Sequence, residues 1–365
     1  MAGGRHDGRR DNRSEMAMIA PIRERSDWRG TDLDPSAWLT RLEPAQADEV
    51  RAALAAVRAS GKGYHDLTRE DFPLPTLAPL LAKVAGILED GIGFQLVRGF
   101  PVDGLSKDDL RMIFWGLGKH LGTAVSQSSR GDLIGDVRDM HLNVGPGLQR
   151  GYNSNVGQGF HTDSCDVSAL FVLRQGISGG DSRLLSAVAV HNEMLRLRPD
   201  LVALLYEPFY WSWQGQQRPG ELPYYQQPVF SVQDGKFCCR IIAAHIHSAQ
   251  AFPDVPRLTA AQCEAIALVA EICARPEFHV HFKMEPGDLE IMNSHVTFHG
   301  RTTFEDGPTE ETTRHLLRMW LAMPGSRPLS PLMGALYRDQ RAGAVRGGFP
   351  STSGVHLYET KVTTD

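Results

Sequence analysis

Beyond Gly122 the apolar residues come in short runs, and no other feature of the chain restricts its fold as tightly. The runs Asp132–Val137, Val167–Arg174, Leu184–Ala187, Pro228–Val232 and Phe237–Ile242 are separated by Gly, Pro, Asn and Asp. Runs of this length between turn residues read as strands. Further strands are expected at 278–283, 288–293 and 315–323. Helices interrupt them around Ala189–Leu197 and over Ala260–Ala274, where Thr259 is a ready N-cap. The elements do not alternate as βαβ units. The pattern therefore predicts an antiparallel sandwich or barrel with helices packed outside it.

Upstream the period changes from two to about 3.6. Pro44 opens a helical run that Gly61 and Gly63 end, and a second helix is expected over Leu77–Glu89. Gly93–Gly99 is a compact strand. Residues 106–121 form an amphipathic helix with Leu110, Ile113, Phe114, Leu117 and Leu121 on one face. The first 26 residues mix Arg, Asp and Gly without apolar periodicity and without the apolar stretch of a signal peptide. They are read as a disordered tail, and 27–365 as a single domain with an N-terminal helical layer.

Composition narrows the function classes. There are 38 basic and 43 acidic residues, a net charge of −5. So mild a balance gives no footing for nucleic acid or an anionic membrane surface. No apolar run reaches the roughly 18 residues of a membrane span. The five cysteines, Cys165, Cys238, Cys239, Cys263 and Cys273, contain no CxxC pair. They suit a reducing, cytoplasmic setting better than a disulfide framework. The expected partner is a small molecule, and a homo-oligomer is left open.

Four segments carry the chemistry. In Gly159-Phe160-His161-Thr162-Asp163 an imidazole and a carboxylate stand two apart. On one extended strand they would point to the same side and could share a metal ion. The segment 286–301 reads as a turn, an apolar strand and a polar tip ending in His299-Gly300-Arg301. Two His and one carboxylate make a facial triad, which leaves positions open on the metal for oxygen and a co-substrate. Arg314 and Arg318 follow in a third strand and would share its face. A guanidinium inside a barrel needs a carboxylate, either a bound dicarboxylate or a structural partner such as Asp288 or Glu290. Gly179-Gly180-Asp181-Ser182 marks a tight turn and brings a hydroxyl.

Taken in order and spacing, these segments resemble the Fe(II)/2-oxoglutarate-dependent dioxygenases of the taurine dioxygenase/TfdA superfamily, clavaminate synthase-like members included. The resemblance covers roughly residues 90–325 and rests on HTD at 161–163, GGDS at 179–182, PGDLEIMNSHVTFHGR at 286–301 and RHLLRMWL at 314–321. It implies a mostly β fold with flanking helices around a double-stranded β-helix, the jelly-roll core of cupins. It implies that His161, Asp163 and His299 are the catalytic Fe(II) ligands and that Arg314 pairs with the distal carboxylate of 2-oxoglutarate. Ser182 stands where the family usually has Thr, and keeps the hydroxyl. Arg318 matches a position that in some members meets an anionic group of the substrate. The implied reaction couples decarboxylation of 2-oxoglutarate, by O2, to succinate and CO2 with C–H oxidation, foremost hydroxylation, of an amino-acid-derived or natural-product intermediate. The intact Asp163 argues against a halogenase. Asn155, Tyr152 and Gln127 are candidate substrate contacts, and the aromatic stretch 209–225 is either a lid or a packed loop. His315 alternates away from Arg314 and is expected outside. The competing reading is a Zn-dependent hydrolase or isomerase on a similar barrel, which would have no need of Arg314.

Overall fold

The computed structural model describes residues 19–140 and 153–360. Eleven strands make its two main sheets. In chain order they are β1 (Leu39–Arg41), β2 (Phe94–Arg98), β3 (Thr123–Val125), β4 (Ile134–Val137), β5 (Gln158–His161), β6 (Val167–Arg174), β7 (Ser182–Ser186), β8 (His279–Phe282), β9 (Asp288–Asn293), β10 (Thr297–Arg301) and β11 (His315–Ala322). The larger sheet runs β1-β2-β9-β6-β11-β3, with β4 also on β11; the smaller runs β8-β7-β10-β5. Every pairing within them is antiparallel except β1 with β2.

The two-residue period of the strands sorts the larger sheet into two faces. Leu289, Ile291, Ala169, Phe171, Leu317 and Met319 point outward and pack with the buried faces of α1 (Pro44–Ser60), α2 (Leu77–Asp90) and α3 (Lys107–Leu121). These helices start where the sequence says. Ser106 and Asp109 form a capping box on α3, and Pro44 sits in the first turn of α1. The opposite face carries Phe94, Leu96, Met292, Val172 and Leu316, which meet Leu184 of the smaller sheet. Complete burial of a side chain such as Phe94 stabilises the fold by about 1.5–3 kcal/mol. The chemistry sits on this inner face, between the sheets.

A second apolar cluster covers the outside of the smaller sheet. It includes Phe298, Leu185, the hairpin Phe209–Ser212 with Tyr224–Gln227, and the helix Ala260–Ala274, whose Thr259 caps it as expected. Trp211 is fully buried and Tyr225 nearly so, so the aromatic stretch is a packed hairpin rather than a lid. The packed chain also begins before residue 27. Ile19 and Ile22 lie against this cluster, the Ile22 amide donates to Asn192, and Ser26 is buried. His315 is buried as well, its Nε2 2.6 Å from Asp136 Oδ1. Strand alternation turned it away from Arg314 as expected, but helix α3 covers that face, and Arg111 of α3 also binds Asp136. Among the described residues no helix is long and apolar enough to cross a membrane.

Candidate active site

Strands β5 and β10 pair with His161 directly opposite His299, and the two rings stand 4.1 Å apart. Asp163 completes the group. Its Oδ1 is 3.9 Å from His161 Nε2 and its Oδ2 is 3.8 Å from His299 Nε2. The three ligand atoms lie within 4.8 Å of one another, so a single ion can touch all three. Asp163 does not share a strand with His161, as the two-residue spacing had suggested. β5 stops at His161, and the chain bends. Arg240 holds the bend by donating to Thr162 O and to the Oγ atoms of Thr162 and Ser164.

Further contacts orient the ligands. Gly159 O lies 3.0 Å from His161 Nδ1, which sets that nitrogen as the donor and Nε2 as the acceptor that a metal would use, 3.0 Å from Gln158 Nε2. Ser168 and Trp320 are cross-strand neighbours on β6 and β11, and both donate to Asp163 Oδ2, at 2.7 and 2.9 Å. Burial alone would raise the Asp163 carboxyl. Arg318, both imidazoles and the Ser168 hydroxyl outweigh it and hold the group below the usual carboxylate range. Burial pushes His299 down to about 3, with His161 adding to the effect, and lowers His161 too. Two neutral imidazoles and one carboxylate are the donor set that a divalent iron needs.

A cavity next to the triad is lined by His299, Gln158, Ser182, Arg301, Arg314 and Arg318. Arg314 is buried, and its Nε and Nη1 have no hydrogen-bond partner. Burial brings its guanidinium down to about 9. The nearby carboxylates make no hydrogen bond to its side chain, and Asp306 accepts from its backbone amide at 2.7 Å. Asp288 takes Arg98 through both oxygens, and Glu290 accepts from Ser182 Oγ at 2.7 Å. The glycines before Ser182 have a steric purpose. Gly180 has φ +74°, and a Cβ there would stand 2.8 Å from Arg314 Nε. The turn is thus shaped to let the guanidinium lie against bare backbone. A buried cation with unanswered donors fits an incoming carboxylate.

Arg318 lies on the inner face of β11. Its Nε donates to Gln127 Oε1 at 2.6 Å, and its Nη1 is 3.8 Å from Asp163 Oδ1. Gln127 is buried, and its amide nitrogen donates to the carbonyls of Arg318 and Leu133. Its amide is therefore used by the protein. Arg301 donates to the carbonyls of Ser154 and Val156 and so ties the loop before β5 to the sheet. Asn155 sits exposed on that loop, where its carbonyl accepts from the Phe304 amide. Tyr152 lies outside the described residues. His295 is apart from the triad, buried against Asp166 at 2.8 Å and Cys238 at 3.2 Å. Sequence reading passed over Ser168 and Trp320. Their only signal is position: Trp320 follows Arg318 by two and so shares its face.

The sequence profile described as "Taurine catabolism dioxygenase TauD, TfdA family" matches residues 58–320. The chain belongs to this family. It is an Fe(II)/2-oxoglutarate-dependent dioxygenase, with His161, Asp163 and His299 as the iron triad. The dioxygenase is similar to FR-33289 synthase of Streptomyces rubellomurinus, 31% identical over 84% of this chain and 92% of the relative. It is also similar to a taurine hydroxylase-like protein of Stachybotrys chartarum, 29% identical over 76% of this chain and 73% of the other. Among solved structures, asparagine oxygenase with Fe(II), 3-hydroxyasparagine and succinate superposes with a TM-score of 0.57 at 21% identity, over 78% of this chain and 93% of that one. OrfP with iron and α-ketoglutaric acid gives 0.58 at 16% identity over the same shares. These superpositions confirm the double-stranded β-helix. The family assignment sets aside the zinc hydrolase reading, which also left the buried Arg314 unexplained.

Proposed function

We propose that this dioxygenase hydroxylates a small, amino-acid-derived or natural-product intermediate that carries an anionic group. Arg318 supports the reading most directly: it is a buried guanidinium in the cavity wall, 3.8 Å from the ligand carboxylate of Asp163. An anion paired with it would lie beside the metal, so the bond to be oxidised is placed by a contact that does not react. Gln127 serves as its positioning residue, since its carbonyl oxygen accepts from Nε at 2.6 Å. The relatives point the same way. Asparagine oxygenase and OrfP are bound to hydroxylated amino acids in their structures, and the Stachybotrys relative is taurine hydroxylase-like.

Arg314 and Ser182 are proposed to hold the distal carboxylate of 2-oxoglutarate. Bound iron and 2-oxoglutarate supply the activation of O2 and the oxidation of the C–H bond, with succinate and CO2 as co-products. The protein's part is to bind and to orient. Gly159 O fixes His161, Ser168 and Trp320 fix Asp163, and Arg314 sets the direction in which the co-substrate lies. Asn155, on the loop before β5, is a proposed substrate contact, and so is Tyr152.

The test is an anaerobic titration of the metal-free protein with Fe(II) and 2-oxoglutarate, followed by visible absorption. A charge-transfer band that needs both components is expected. Anionic amino-acid derivatives and their neutral amides are then screened for a shift of that band. Only the anionic forms should shift it, and Arg318→Met should abolish the shift while keeping the band. A neutral amide that shifts the band as well as its acid would remove Arg318 from substrate recognition.

A further inference from the structure

Glu290 is an acid of the co-substrate region whose purpose the reaction does not explain. It lies on β9 in an inner cross-strand row with Leu96, Leu170 and Arg318. It is fully buried. Its Oε2 accepts from Ser182 Oγ at 2.7 Å, and its Oε1 has no hydrogen-bond partner. Among the described residues it forms no ion pair. Asp288, two residues earlier, is answered by Arg98 from β2, whereas Glu290 has only Arg314 at longer range.

The hydroxyl of Ser182 has one proton to give, and here it gives it to Glu290. A 2-oxoglutarate carboxylate drawn in by Arg314 needs that same proton. It would also meet a second ionised carboxyl behind the serine. Both conflicts vanish if Glu290 is protonated. Its own O–H can then donate to Ser182 Oγ, and the Ser182 proton is released toward the cavity.

We propose that Glu290 is a positioning acid of the co-substrate site: it takes up and keeps one proton from solvent as 2-oxoglutarate enters, donates a hydrogen bond through it to Ser182 Oγ and so turns the Ser182 hydroxyl toward the distal carboxylate. This rests on the reading that Arg314 and Ser182 hold that carboxylate. The surroundings favour the neutral acid. Burial pushes Glu290 up to about 7, the Ser182 bond and Arg314 pull against it, and Asp288 adds to the rise. Leu96 and Leu170, the cross-strand neighbours, offer no counter-charge. Below that pH the acid is already protonated and binding takes up nothing. Above it binding must recruit a proton, so 2-oxoglutarate affinity falls with rising pH.

The experiment uses the full chain loaded with Fe(II) under anaerobic conditions. 2-Oxoglutarate is titrated calorimetrically from pH 6 to 9, in pairs of buffers with different ionisation enthalpies. Uptake of about one proton is expected at pH 8 and almost none at pH 6, with Kd rising about tenfold per pH unit above about 7. Glu290→Gln is a neutral stand-in and should show no uptake and a flat Kd. Absent uptake in the wild-type protein, or uptake retained in Glu290→Gln, overturns the proposal. The wild-type arm is decisive even if the variant fails to fold. Arg314→Met separates the two readings. If it binds 2-oxoglutarate normally, the underlying assignment fails and the proposal with it. If it loses binding while the wild type takes up no proton, only the role of Glu290 falls.

Discussion

Replacing Arg314 by Met should make the protein more stable and, at the same time, blind to its co-substrate. Arg314 is 2% exposed, and two of its nitrogens lack hydrogen-bond partners. Each unanswered buried donor costs about 1–3 kcal/mol in the protein without 2-oxoglutarate. Methionine is of similar length, apolar and adaptable, and would pack against Phe304, over which the guanidinium now lies at 5.1 Å. Removing the cation affects two nearby carboxylates, of which Asp306 keeps the backbone amide of residue 314. Glu290 loses the attraction that lowered it and becomes neutral. A net gain of about 1–3 kcal/mol is expected, which in a chain of 365 residues raises Tm by roughly 1–2 °C per kcal/mol. Binding moves the other way. Deleting one partner of a buried charge pair costs about 2–5 kcal/mol, so Kd for 2-oxoglutarate should rise about 30- to 5,000-fold. Thermal melts with and without 2-oxoglutarate, beside the anaerobic charge-transfer titration, read both effects in one preparation. Two results would refute the reasoning. One is a variant that binds 2-oxoglutarate within a few fold of wild type. The other is a variant that melts well below wild type without ligand, which would make Arg314 a structural cation.

Ser168→Ala and Trp320→Phe each remove one donor from Asp163 Oδ2 and should weaken Fe(II) binding about 10- to 100-fold, read by metal titration, with little change in fold by circular dichroism. Gly180→Ala forces a side chain into a left-handed backbone position and against Arg314; it should raise Kd for 2-oxoglutarate about tenfold or more and leave Fe(II) binding intact. Burial pushes His295 down to about 4, against partial support from Asp166, so it stays neutral in the folded state. The unfolded chain then binds more protons below about 6.5, and this contribution to stability is lost as pH falls from there to about 4. His295→Gln should reduce the pH dependence of urea unfolding over that window by about one proton; an unchanged slope would show that His295 does not titrate there.

Much of the helical layer and several strands were legible because they are local. Val167–Arg174, Asp288–Asn293 and Ala260–Ala274 run over the spans that their apolar periods mark. β1, β3 and β5 were not legible. The first two are three residues long at the sheet edges, and β5 looks like a Gly- and Asn-rich loop until β10 pairs with it. The aromatic hairpin at 209–227 carries the same residues whether it covers a cavity or fills a core. Its burial depends on the helices that pack beside it.

The sequence by itself determined the donor types and their order: HTD before GGDS, then His299 ahead of Gly-Arg, then Arg314 and Arg318. Chemistry of this kind is written in residue identity, and spacing restricts which strands can carry it. Only the tertiary structure decided which atoms meet. Asp163 reaches the metal position because Arg240 bends the chain after β5, and it stays there because Ser168 and Trp320 are neighbours across two strands far apart in sequence. Gln127 was drawn onto Arg318, and Glu290 was set behind Ser182 with one oxygen unanswered. These contacts join residues 108 to 191 positions apart, at distances that depend on register. A one-residue slip would turn each side chain to the other face of its sheet, and that is why no local pattern could foretell them.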